Sequence, residues 1–376
     1  MMFDYEVLRL IWWALLGVLL VAFAITDGFD MGVAAMLPAV ARTDGQRRQV
    51  INTVGPVWEG NQVWFILGGG AIFAAWPALY AVSFSGFYLA MFLILSALII
   101  RPVAFKFRSK RDDVSWRARW DGALCFSGVV PPLIFGVAVG NVLQGVPFHF
   151  DSDLRPFYTG SFFALLNPFA LLCGLVSLSM LLLHGATWLQ IKADGEPAAR
   201  ARGIGMVAAV AVLVLFAVGG LWVSQMDGYR VVSDLDPLGP SNPLRKEVVT
   251  EAGFWLHNYG RYPLLLLVPA LGFLGAAMAL AGLAWRRGAL SFIGSKLSVA
   301  AIITTVGTSM FPMILPSSSQ PGHSLTVWDG SSSEYTLAVM LFATAVLLPL
   351  VLLYTAWVYK VLWGRVTEDD VNEDMY

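Results

Sequence analysis

Three carboxylates stand where a carboxylate is expensive. The stretch Thr26-Asp27-Gly28-Phe29-Asp30-Met31-Gly32 closes a long apolar run, and Gly55-Pro56-Val57-Trp58-Glu59-Gly60-Asn61-Gln62-Val63-Trp64 opens the next. Asp27 and Asp30 are three apart, so a continuous helix places them on one face. Glu59 arrives with an amide pair and two motif aromatics, Trp58 and Trp64. Ionisable groups at membrane depth face a cavity or a partner, and a buried carboxyl group can hold and pass a proton near neutral pH. Asp27, Asp30 and Glu59 are therefore candidates for a proton path. Arg101, at the end of another apolar run and just before Pro102, is the candidate charge partner. If the acids only pair with arginines at the inner interface, the same residues are structural, and the residues alone leave both readings open.

Other chemistries find little support. Of the four histidines, His149, His184, His257 and His323, only His184 lies well inside an apolar run. Haem held between two helices needs two histidines at membrane depth. Met180 shares a helix face with His184 and cannot ligate from the opposite side of the ring. His184 reads as a hydrogen-bonded interior histidine. Cys125 and Cys173 sit in apolar runs and read as small buried residues. No metal-binding or nucleophile motif occurs, so no residue of this chain is assigned catalysis or a metal. A net charge of −1 excludes nucleic acid as a partner.

The elements that must position the acids are membrane helices. Of 376 residues, 57% are hydrophobic and 13% charged, against roughly 25% charged in a soluble domain. Gly60–Ile100 runs 41 residues without a charge and is split by Trp76-Pro77. Such runs predict an all-α integral membrane protein with nine transmembrane helices in one bundle, occupying the single membrane domain 1–376. Their apolar parts lie near 10–38, 52–74, 78–100, 122–140, 164–190, 203–224, 263–285, 295–312 and 336–360. The start, MMFDYEVLR, has two acids and no small-x-small cleavage site, so the first helix reads as a permanent anchor. Lys and Arg divide 18 against 6 between the two sides. The positive-inside rule then puts the amino end outside and the carboxyl end inside.

Helices 1 and 2 form a hairpin whose midpoint lies between Asp44 and Gly45. Asp30 and Glu59 are equidistant from it and should lie at similar heights, with Asp27 about one turn, or ~5 Å, deeper. The longest loop, 225–261, is expected to carry a short amphipathic helix capped by Asn242, with Leu244, Val248, Ala252 and Trp255 at helical spacing. The basic run Lys106–Arg111 is expected to be a solvated face meeting anionic lipid. Gly68-Gly69-Gly70 would allow close helix contact or a kink. Trp76, Trp357, Tyr359 and Trp363 read as interfacial aromatics.

Taken in order, these motifs resemble subunit II of the cytochrome bd-type ubiquinol oxidases. The resemblance runs through Asp4–Arg9 and Trp12-Trp13, Asp27–Gly32, Trp58–Trp64, Phe73–Pro77, Ser85–Tyr88 and Arg101-Pro102. It continues with Leu143–Phe148, Ser241–Leu244, Phe311–Ser318 and Leu325–Asp329, and closes with Leu353–Trp357 and a final Tyr376. Some relatives carry Asp where this chain has Glu59, so the carboxylate here reaches one methylene further. The resemblance implies a subunit of a bacterial inner-membrane complex that oxidises quinol at the outer face and reduces dioxygen to water. It places two b-type haems and one d-type haem in subunit I. Subunit II would pack against subunit I, bind a structural ubiquinone and line a proton path from the cytoplasm, with membrane lipid around it. A small single-span subunit would complete the assembly. The alternative is a secondary transporter, with an acidic site between helices 1 and 2 built on a broken first helix.

Overall fold

The computed structural model describes residues 3–367, so Tyr376 of the motif set lies outside the described residues. Among the described residues, eight helices are long and apolar enough to cross a membrane. They are α1 (Tyr5–Val40), α5 (Tyr88–Phe107), α6 (Val114–Gln144), α7 (Pro168–Lys192), α8 (Gly195–Val223), α10 (Leu267–Ala284), α11 (Gly288–Met310) and α12 (Glu334–Val361). The expected span at 52–74 is divided. A short helix α2 (Asp44–Asn52) comes first, then a turn, then α3 (Trp58–Ala75). The first turns of α3 carry Glu59, Asn61 and Gln62, which dilute its apolar character. Pro77 begins α4 (Pro77–Gly86) at the expected Trp76-Pro77 break, and a five-residue α9 (His257–Arg261) precedes α10.

The centre of the bundle is built on small residues. On α1, a side chain at Gly32 would overlap the Leu181 carbonyl of α7. One at Gly185 of α7 would stand 2.6 Å from the Gly32 carbonyl carbon, and one at Gly128 of α6 would overlap the α1 backbone at Met31 and Ala35. Helices that meet at glycine approach backbone to backbone, the usual way to gain packing in lipid. Two crossings, of α7 and of α6 on α1, thus converge on the segment that carries Asp27 and Asp30. By contrast, nothing lies near Gly68, Gly69 or Gly70, which give no close contact within this chain.

The long loop departs from expectation. Instead of an amphipathic helix, Asp227–Val231 (β3) pairs antiparallel with Val248–Ala252 (β4). The run Val248-Val249-Thr250 is β-branched and prefers a pleated surface, and it finds a strand of the same loop to pair with. Asn242 does cap, its Oδ1 accepting from Leu244 N at 2.9 Å, but only a single 3-10 turn follows. Two smaller hairpins, Phe148–Phe150 (β1) with Pro156–Tyr158 (β2) and Met313–Leu315 (β5) with Leu325–Thr326 (β6), lie at the same end. Arg9 of α1 clamps the loop. It donates to the carbonyls of Pro237 (2.6 Å) and Gly239 (3.0 Å) and to the hydroxyls of Ser241 and Ser331 (2.9 Å each). Lys246 closes it, buried against Asp329 at 2.8 Å.

The opposite end is tied by ions. Arg108 bonds Asp121 at 2.6 Å and Asp44 at 2.7 Å, and Asp121 also takes Arg47 at 2.7 Å. Arg108 is buried, so the middle of the basic run 106–111 is not a solvated, lipid-facing charge as expected. The acids of α2 and α6 draw it inward, while Lys106, Lys110 and Arg111 stay exposed.

Candidate functional site: a buried acid pair between α1, α3 and α5

α1 runs unbroken through its acidic segment, so Asp27 and Asp30 fall on one buried face. Arg101 of α5 donates from Nη1 to Asp27 Oδ1 at 2.6 Å, with both side chains essentially shut off from solvent. Asn61 of α3 donates from Nδ2 to Asp30 Oδ2 at 2.7 Å, and Tyr359 of α12 donates its hydroxyl to Asn61 Oδ1 at 2.6 Å. Tyr359 can only donate to an amide oxygen, so it fixes which way the Asn61 amide points. Half of the site's bonding capacity is unused. Asp27 Oδ2, Asp30 Oδ1 and Arg101 Nε and Nη2 are all buried without a hydrogen-bond partner. Buried polar atoms are costly when unpaired, and clusters of them are where ordered water enters.

Glu59 is not in this cluster. It is exposed on the surface of the chain. Two residues along a helix are about 200° apart, so if Asn61 faces Asp30, Glu59 faces away. The hairpin count gives height and says nothing of direction around the helix. Trp58 is buried and stacks on Phe105 with ring centres 5.4 Å apart. Trp64 is buried beside Phe23 and Met31. Asn61 and Tyr359 received no role from the sequence. The Asn61-Gln62 amide pair inside an apolar run was the available signal for the first. Tyr359, 298 residues away, read only as an interfacial aromatic, and nothing in the sequence pointed it at Asn61.

His184 is engaged at both ring nitrogens. Nε2 lies 2.9 Å from the Ile25 carbonyl, which can only accept, so Nε2 carries the proton. Nδ1 then accepts from Ser295 Oγ at 2.8 Å, and the ring stacks on Phe292. This is the hydrogen-bonded interior histidine that the sequence suggested. The residues present therefore do not fit a haem: the one histidine inside the bundle has no nitrogen to offer an iron.

Residues 8–362 match the family described as cytochrome bd terminal oxidase subunit II. The chain belongs to that family. It is 50% identical over 376 residues to cytochrome bd-I ubiquinol oxidase subunit 2 of Escherichia coli K12, covering 100% of this chain and 99% of that one. It is 29% identical over 361 residues to cytochrome bd ubiquinol oxidase subunit 2 of Bacillus subtilis 168, covering 96% and 97%. A chain in the structure of the bd oxidase from Geobacillus thermodenitrificans shares the fold, with a TM-score of 0.70 at 17% identity over 95% of this chain and 99% of that one. Membership makes this a multi-pass subunit of a bacterial inner-membrane oxidoreductase complex, a bd-type quinol oxidase, with subunit I as its partner. It also displaces the transporter reading, whose broken first helix is absent from α1.

Proposed function

We propose that this subunit carries protons from the cytoplasm toward the haem-bearing subunit I, while quinol is oxidised and dioxygen is reduced to water there. The observation that carries this is the set of four unpartnered buried polar atoms around Asp27, Asp30 and Arg101. Waters bridging them would join the two acids. Asp30 presents Oδ1 to that water while Asn61 holds its other oxygen, and Arg101 balances the charge of Asp27. Glu59 stands outside the pair and faces the partner, handing protons across the subunit boundary. A carboxylate facing lipid is expensive, so the exposed face of α3 is assigned to subunit I. The haems b and d belong to subunit I and supply the oxygen chemistry. This chain is assigned the gathering of protons, together with a bound ubiquinone and contact with a small single-span subunit. Nine spans, with α3 as the second, put the amino end outside and the carboxyl end inside.

The test is Glu59→Gln in the assembled complex, reconstituted in vesicles. Oxygen consumption per haem and proton uptake from the inner side should both fall, with haem content intact. Glu59→Asp should retain more activity, since it keeps the proton-carrying group at shorter reach. Normal turnover and uptake in Glu59→Gln would remove Glu59 from the path. A fluorescent protein fused to the carboxyl end should glow in the cytoplasm, and a fusion active only outside would reverse the orientation.

A further inference from the structure

A cavity of about 210 Å³ lies between α1, α7, α11 and α12. Phe29, Trp188, Phe292 and Trp363 wall it, and three polar side chains line it: Lys296, Tyr359 and Thr26, whose hydroxyl is already given to the Ala22 carbonyl. Lys296 sits eight residues into α11, about 12 Å along the helix from Gly288. Its ammonium lies 4.2 Å from the centre of the Phe292 ring. Among the described residues no carboxylate pairs with it. Three buried cations are answered: Arg101 by Asp27, Arg108 by Asp121, and Lys192 by the carbonyls of Leu362 and Gly364. A charge inside a membrane helix without a counter-ion is costly, and ring stacking offsets only part of that cost.

We infer that the cavity takes the phosphate headgroup of an anionic glycerophospholipid, with Lys296 as its counter-ion. The volume is the share of about seven waters, enough for a phosphate and its glycerol. The site's one strong donor group is cationic. The Tyr359 hydroxyl is already given to Asn61, so it can only accept, as from a glycerol hydroxyl. The acyl chains have a way out. Ile293, one turn from Lys296, is exposed, and the apolar length of α12 is almost wholly uncovered. The leaflet rests on the proposed orientation, which the carboxyl-terminal fusion tests separately; the headgroup chemistry does not. Because Tyr359 both lines the cavity and orients Asn61 on Asp30, the lipid would sit one side chain away from the acid pair and bias its geometry.

The purified oxidase complex, delipidated in detergent, is titrated with phosphatidylglycerol or phosphatidylcholine, and retained lipid is counted by native mass spectrometry. The wild type should hold one phosphatidylglycerol more than Lys296→Gln, with affinity higher by about fivefold or more. Lys296→Arg should keep it, and phosphatidylcholine should not discriminate between the variants. Equal retention by wild type and Lys296→Gln overturns the inference. So does displacement by millimolar inorganic phosphate, which assigns the site to free anions. Loss of extracted quinone in place of lipid also overturns it. Should Lys296→Gln fail to assemble, acylation of Lys296 in the wild-type complex replaces it. That reaction should slow in vesicles containing phosphatidylglycerol, and an unchanged rate is equally fatal.

Discussion

Arg101 reaches Asp27 across 74 residues of sequence and meets it with one nitrogen at 2.6 Å, leaving its other two nitrogens bare. Removing one member of such a pair strands the other. Asp27→Asn in the complex should lower stability by about 3–5 kcal/mol, read as earlier thermal loss of the assembled oxidase. Arg101→Met should do the same. The double variant should recover much of that stability and none of the turnover. A double variant as unstable as the two singles summed would mean that the pair is not coupled.

His184→Gln separates an interior hydrogen bond from a haem ligand. Loss of the bonds to Ile25 and Ser295 should destabilise α7 against α1 and α11 by about 1–3 kcal/mol, while haem per assembled complex stays unchanged. This chain purified alone should bind no stoichiometric haem. A haem spectrum of the isolated chain that vanishes with His184 would contradict the assignment.

The glycine crossings give a sharper structural test. Gly185→Ala drives a methyl into the α1 backbone at Gly32, where no flexible side chain can give way. Assembly should fail or fall steeply. Gly69→Ala meets nothing within this chain, so its folding should be unaffected, as judged by the yield of this subunit in membranes.

At the loop end, His323 Nδ1 accepts the backbone N–H of Phe150 at 3.0 Å. Partial burial, and then the nearby charges of His149 and Lys246, hold the imidazole below its ordinary value. A base depressed in the folded state contributes stability above its unfolded value, near 6.5, and loses it as pH falls toward the folded one. A protonated Nδ1 cannot accept. Amide exchange of the 148–158 hairpin, corrected for intrinsic rate, should therefore quicken as pH drops below about 6.5. His323→Ala should quicken it at neutral pH and flatten the profile.

Much of this was legible in the sequence, for identifiable reasons. Long charge-free runs favour helices in lipid, and among the described residues eight helices are long and apolar enough to cross a membrane. Asp27, Asp30 and Arg101 stood out because charges in such runs need partners; in the structure Arg101 meets Asp27, while Asp30 meets Asn61. Glu59 was misplaced because distance from a hairpin fixes height alone. The Asn61 and Tyr359 contacts depend on how α12 returns to α3, which no local pattern encodes. The 225–261 loop was misread because the four apolar residues at helical spacing belong to three different pieces, Leu244 and Trp255 to separate 3-10 turns and only Val248 and Ala252 to β4; the β-branched run Val248–Thr250 was the better guide. Arg108 was misjudged since its acids, Asp44 and Asp121, come from two other elements.

The unbroken length of α1 has a mechanical consequence. Its 36 residues make a rod of about 54 Å, longer than the ~30 Å hydrocarbon layer it crosses. Near one end Arg9 grips the long loop, and 18 residues further along stands Asp27, about 27 Å away. With no hinge between them, the loop and the acid pair are two ends of a single stiff lever. Whatever docks on the loop and tilts α1 must also carry Asp27 and Asp30 across the face of Arg101 and Asn61.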